Sequence, residues 1–143
     1  MGIDFGTKRV GVSMSDPEGR IAGSPSVIGV RTERQVIADI KELAAKEGIA
    51  EIVVGLPLSL DGKAGPQADK AKSFASRLAA ASGVKVAMWD ERFSTVEAGR
   101  LLLGLSKRIR RQKEKRDSIA AVLILQSYLD SRPHASGYES SGT

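Results

Sequence analysis

At 143 residues the chain is sized for one domain with its own core. It has no cysteine and a single histidine, His134, near a polar C-terminal end, so disulfides, thiolate metal sites and Cys- or His-based catalysis are set aside. The net charge of +5 is local: residues 106–116 hold seven Lys or Arg against one Glu, and the remainder is nearly neutral.

The chain opens with Gly2-Ile3-Asp4-Phe5, an apolar strand pattern interrupted by an acid. Gly6 to Arg9 reads as a turn, and Val10, Val12 and Met14 alternate with small residues as a returning antiparallel strand. After the turn Asp16-Pro17-Glu18-Gly19, residues 21–30 suit a third, weaker strand. The period then changes: Thr32 and Gln35 form a capping box, and Val36, Ile40, Leu43 and Ala44 recur at helical spacing up to Gly48.

Ile52-Val53-Val54-Gly55-Leu56 is short and β-branched, as expected of a strand covered on both faces. A loop from Pro57 to Gly65 leads to a second helix that starts near Pro66, turns Ala71, Phe74, Ala75 and Leu78 inward and stops at Gly83. Val84, Val86 and Met88 give another strand, ending at Trp89-Asp90-Glu91. Ser94 and Glu97 form a second capping box for a short helix that ends near Gly104. The basic stretch follows, and a last amphipathic helix runs from about Asp117 through Ile119, Val122, Leu123, Gln126 and Leu129. The order implies an α/β domain over residues 1–130, with a five-stranded mixed sheet (an antiparallel meander, then parallel strands) flanked by helices. Residues 131–143, polar and without period, are expected to be a disordered tail. No apolar run is long enough to span a bilayer and no leader is apparent, so a soluble cytoplasmic protein without a membrane partner is expected.

The acids carry the chemistry. Asp4 sits inside an apolar strand, where a carboxylate is costly unless paired or metal-bound. Asp90 and Glu91 stand at the carboxyl end of a strand, where sites form in parallel sheets, although acids there also serve as ordinary turn residues. One of the two is expected to be a ligand, with Glu91 preferred for its longer arm. Asp117 fits an N-cap equally well as a site residue, and a helix that begins a few residues earlier would put it in the first turn. Scattered carboxylates suit hard divalent cations, Mg2+ or Mn2+, which activate water on a phosphodiester without help from His or Cys. A phosphate-rich partner would also explain Lys107, Arg108, Arg110, Arg111, Lys113, Lys115 and Arg116, with Lys8 and Arg9 adding contacts beside Asp4, whereas a plain solvated face is the bland alternative. With 4% aromatic residues, backbone and shape recognition suit the chain better than base stacking.

Four blocks resemble the YqgF/RuvX family in its own order: residues 2–13 (GIDFGTKRVGVS), Val53 to Leu58 with Asp61-Gly62, Asp90 to Thr95, and Asp117 to Ala121 followed by Leu123 to Gln126. The resemblance implies a ribonuclease H-like fold, a pre-16S ribosomal RNA nuclease with resolvase-like activity on branched DNA, and acidic positions at Asp4, Asp90-Glu91 and Asp117. This favours a site role for Asp117, giving Asp4, Glu91 and Asp117 as catalytic residues and Asp90 as an additional candidate metal ligand. The Leu56 to Gly65 loop is expected on the site side of the sheet. Wider relatives often carry an acid at the end of the strand that here contains Gly55 and precedes Pro57, so this site would lean on Asp90 and Glu91. Two alternatives remain: a non-catalytic nucleic-acid-binding domain, and a phosphotransferase suggested by Asp4-Phe5-Gly6-Thr7. Action on a symmetric junction would favour a homodimer, and trimming of an RNA end a monomer.

Overall fold

The computed structural model describes residues 1–6, 8–58, 62–91 and 113–132, with the side chains of 113–117 outside the description. Five strands and, among the described residues, three helices follow in the order β1 (Gly2–Phe5), β2 (Arg9–Ser15), β3 (Ala22–Gly29), α1 (Glu33–Glu47), β4 (Glu51–Leu56), α2 (Pro66–Ser82), β5 (Lys85–Asp90) and α3 (Lys113–Ser131). The strands form one mixed sheet ordered β3-β2-β1-β4-β5. The first three make an antiparallel meander, and β4 and β5 pair parallel to β1 and to each other. The expected α/β architecture is present. The proposed short helix after Ser94 and nearly all of the proposed tail lie outside the described residues.

Local chemistry accounts for the elements. In the β1–β2 turn the Gly6 N–H donates to the Arg9 carbonyl at 3.0 Å, and a Cβ on Gly6 would stand 2.5 Å from that oxygen, so the turn requires glycine. Asp16 closes the β2–β3 turn by accepting the N–H groups of Ile21 and Arg20, which hold its carboxyl below the usual range. Thr32 caps α1 by accepting the Gln35 N–H at 3.1 Å. The Gln35 side chain reaches forward to Asp39 at 3.0 Å, so this half of the capping box is made as anticipated and the return bond is replaced. Gly48 and Gly83 end α1 and α2 in the left-handed conformation, where a side chain would be strained.

Alternation along the strands divides the core in two. Ile3, Val10, Val12, Ile52 and Val54 join Val36, Ile40, Phe74 and Leu78 under α1 and α2, and Phe5 stacks on Phe74 with ring centroids 4.2 Å apart. On the opposite face Val53 packs with Ile124, Leu125 and Leu129 of α3. Ala121, Ile124 and Leu125 are buried, whereas Val122, assigned inward by the spacing argument, is only half-buried.

Two approaches fix the position of α3. A Cβ on Gly2 would lie 2.6 Å from Leu125 Cβ and 2.9 Å from the Ala121 carbonyl oxygen, so the helix touches bare β1 backbone. Gln126 ties it to the edge strand, accepting the Ala22 N–H at 2.8 Å and donating to the Arg20 carbonyl at 2.9 Å. Near its C-terminus Tyr128 donates to Glu51 at the start of β4, and Trp89 donates to Ser127 at 3.0 Å. With Tyr128 at the start of β4 and Ala121 over β1, α3 runs antiparallel to both strands. Its first turns therefore lie toward the carboxyl ends of β1, β4 and β5.

Gly2→Ala is expected to cost about 1–3 kcal/mol by forcing α3 off the sheet. Gly29→Ala, where an added Cβ meets nothing within 4 Å, should change stability by less than about 0.5 kcal/mol. Urea denaturation of the two variants measures the difference.

Candidate active site

Ile3 is paired with Val54, so Asp4 and Gly55 each stand one residue further along their strands, on the face that carries Gly2, Val53 and α3. Asp4 lies opposite Gly11 of β2, another residue without a side chain on that face. Asp90 is the last residue of β5, opposite Leu56 of β4. Alternation places it with Met88 on the α1/α2 face. Glu91 follows the end of the strand and turns back over β4, with its Cγ and Cδ 3.0 and 3.1 Å from where a Cβ on Gly55 would sit. The adjacent acids thus separate: Glu91 shares the α3 face with Asp4, and Asp90 borders it.

The electrostatics register this crowding. Burial raises the Glu91 carboxyl to about 7, and the negative charges of Asp4 and then Asp90 push it in the same direction. A carboxyl this reluctant to ionise is characteristic of functional sites. Among the described residues no three acidic, His or Cys side chains stand in a group that could hold a metal ion, and the described acids that act on one another here are Asp4 and Glu91, with Asp90 at their border. Their chemistry fits a divalent cation. Both are hard oxygen donors, and a cation between them would relieve the like-charge repulsion that adds to burial in raising Glu91.

Asp117 lies in α3, which begins four residues earlier at Lys113, so the N-cap alternative is removed. Its position is one helical turn before Ala121, the residue that meets β1 at Gly2. Its side chain lies outside the described residues, as do those of Lys113, Lys115 and Arg116; Lys107, Arg108, Arg110 and Arg111 lie outside them altogether. Lys8 is exposed in the β1–β2 turn, and Arg9 begins β2 at the same end of the sheet as Asp4. The loop after β4 leaves the same edge, closed by a bridge between Leu58 and Ala64, with residues 59–61 outside the description.

Sequence reasoning treated Gly55 as the place where an acid is absent. Its geometric role was missed, although a glycine inside a β-branched run is a recognised signal of close approach.

Ionising Glu91 weakens the metal-free fold. Its folded value, about 7, exceeds the ordinary 4.5, so the folded chain holds this proton more tightly than the unfolded one. Stability from this group therefore falls as pH rises from about 4.5 to 7, and the loss is complete above that range. Glu91→Gln should stabilise the chelator-treated protein by roughly 2 kcal/mol at pH 8, and the gain should vanish near pH 4. Thermal melts in EDTA across that range check both ends.

Comparison with known proteins identifies the family. The sequence pattern of the family described as "RuvX: Holliday junction resolvase" matches residues 1–131. A protein of Pelotomaculum thermopropionicum named "Putative pre-16S rRNA nuclease" is 44% identical over 92% of this chain and 86% of its own length. One of the same name from Moorella thermoacetica is 45% identical over 91% of this chain and 93% of its own. Among solved structures, Thermus thermophilus RuvC in complex with a Holliday junction substrate superposes with a TM-score of 0.61 at 16% identity, covering 90% of this chain and 92% of that one. That likeness establishes the ribonuclease H-like fold. With the family pattern spanning nearly all of the described chain and close relatives along its length, this chain belongs to the RuvX family.

Proposed function

We propose that the domain of residues 1–130 is an endonuclease that hydrolyses phosphodiesters in structured nucleic acid, with Asp4, Glu91 and Asp117 as its cation-holding acids. Pre-16S ribosomal RNA, the substrate in its relatives' name, is the first substrate to test, and Holliday junction DNA, from the family description, is the second. The observation that carries the reading is the Glu91 carboxyl folded over Gly55 toward Asp4, with its proton affinity raised first by burial and then by the charge of that neighbour.

The residues divide the work by position. Asp4 stands on the central strand β1, between β2 and β4. Glu91, just past the end of β5, supplies a second carboxylate on the same face. Asp117 enters from α3, whose antiparallel course brings its first turns to the same end of the sheet. These acids would hold Mg2+ or Mn2+, which when bound would supply activation of the attacking water and stabilisation of the departing oxygen. Asp90, on the neighbouring face, adds negative charge at the edge of the site. Lys8, Arg9, Lys107, Arg108, Arg110, Arg111, Lys113, Lys115 and Arg116 neutralise backbone phosphates and set register along the substrate. Cleavage of a symmetric junction calls for a homodimer, whereas RNA trimming is served by a monomer.

Asp4→Asn is expected to lower Mn2+-dependent cleavage by roughly 10²–10⁴-fold with folding intact. If wild type and Asp4→Asn bind pre-16S RNA equally and neither cleaves it or a four-way junction with Mg2+ or Mn2+, the chain is a binding domain. Neutralising Lys107, Arg108, Arg110 and Arg111 together should flatten the slope of log binding constant against log salt by roughly 3. Fluorescence anisotropy across a salt series measures that slope.

A further inference from the structure

Glu91 begins on the far side of β4 from Asp4. The order β1-β4-β5 puts two interstrand steps, ~10 Å, between the lines of β1 and β5. A glutamate side chain covers about half that distance, so its carboxyl reaches the neighbourhood of Asp4 only by lying flat across β4. It crosses at Gly55, which stands beside Asp4 in the strand register. The space that a Cβ would take there is filled from two sides: Ile124 Cδ1 of α3 comes within 2.5 Å of that point, and Glu91 Cγ and Cδ come within 3.0 and 3.1 Å. The other interior residues of β4 on this stretch, Ile52, Val53 and Val54, carry branched side chains that are buried against helices.

We propose that Gly55 is a positioning residue of the acidic site, the one gap in β4 through which Glu91 is laid toward Asp4. This rests on reading Asp4 and Glu91 as cation ligands. A side chain at position 55 would turn Glu91 back over β5 and separate the two carboxylates, and it would also press on Ile124 Cδ1 of α3.

Gly55→Ala alone also strikes Ile124, so the test uses the Ile124→Val background, which removes the offending Cδ1. Ile124→Val and Gly55→Ala/Ile124→Val are compared by melting temperature, Mn2+ calorimetry, Mn2+ broadening of backbone amide signals, and cleavage kinetics. The expected result is similar melting temperatures and Mn2+ affinity at least tenfold weaker in the double variant. Broadening should persist at Asp4 and fade at Glu91, and kcat should fall with KM unchanged. Equal Mn2+ affinity and equal broadening at both acids in the two variants would overturn the proposal. If the double variant melts early, adding Glu91→Ala should restore its melting temperature; failure to restore it also overturns the proposal. Absence of Mn2+ binding by the wild type would instead refute the ligand reading on which Gly55's role depends.

Discussion

The closeness of one helix to one face of the sheet governs this structure. α3 meets β1 where Gly2 offers no side chain, and it meets β4 where Gly55 offers none. Larger residues would hold the helix off at the usual distance, and the acids on this face would then stand in an open, solvated trough. Close approach instead buries the ground around Asp4 and Glu91, and burial is the largest cause of the raised Glu91 proton affinity. Packing and chemistry therefore have one origin. The glycines that seat the helix also create the low-dielectric setting in which carboxylates compete for charge.

The two ends of α3 have different duties. At its C-terminal end Tyr128, Ser127 and Gln126 bond to β4, β5 and the approach to β3, and Arg132 pairs with Glu51 at 3.2 Å while lying over the Tyr128 ring. These contacts restrain both sliding along the helix axis and rotation about it. The N-terminal end carries Asp117 and the last basic residues of the cationic stretch, at the carboxyl ends of the parallel strands. A helix anchored far from the chemistry can present its first turns to a substrate without relying on contacts to that substrate for its register. The exposed pair between Arg77 and Glu33 joining α1 and α2 adds little by comparison, because solvent screens it.

Much of the architecture was legible in the residues. Alternation in Val10-Gly11-Val12-Ser13-Met14, the period of Val36, Ile40 and Ala44, and the β-branched run at Ile52 to Val54 each encode a local geometry that neighbours only confirm. The start of α3 was less legible, since Asp117 satisfies the chemistry of an N-cap and only the course of the helix shows that it lies a turn inside. Val122 and Gln126 were both assigned to an inward stripe, and Gln126 proves to be a polar tether to edge-strand backbone.

By itself the sequence determined the element order and the mixed sheet and marked the candidate acids, because period, turn chemistry and the cost of a carboxylate in an apolar strand are properties of short segments. The tertiary structure decided which of two adjacent acids joins Asp4. Sequence favoured Glu91 over Asp90 only for its longer arm, and it is the end of β5 together with the bare backbone at Gly55 that sends Glu91 across β4. That choice depends on the space left between two strands and a helix, which no local pattern records.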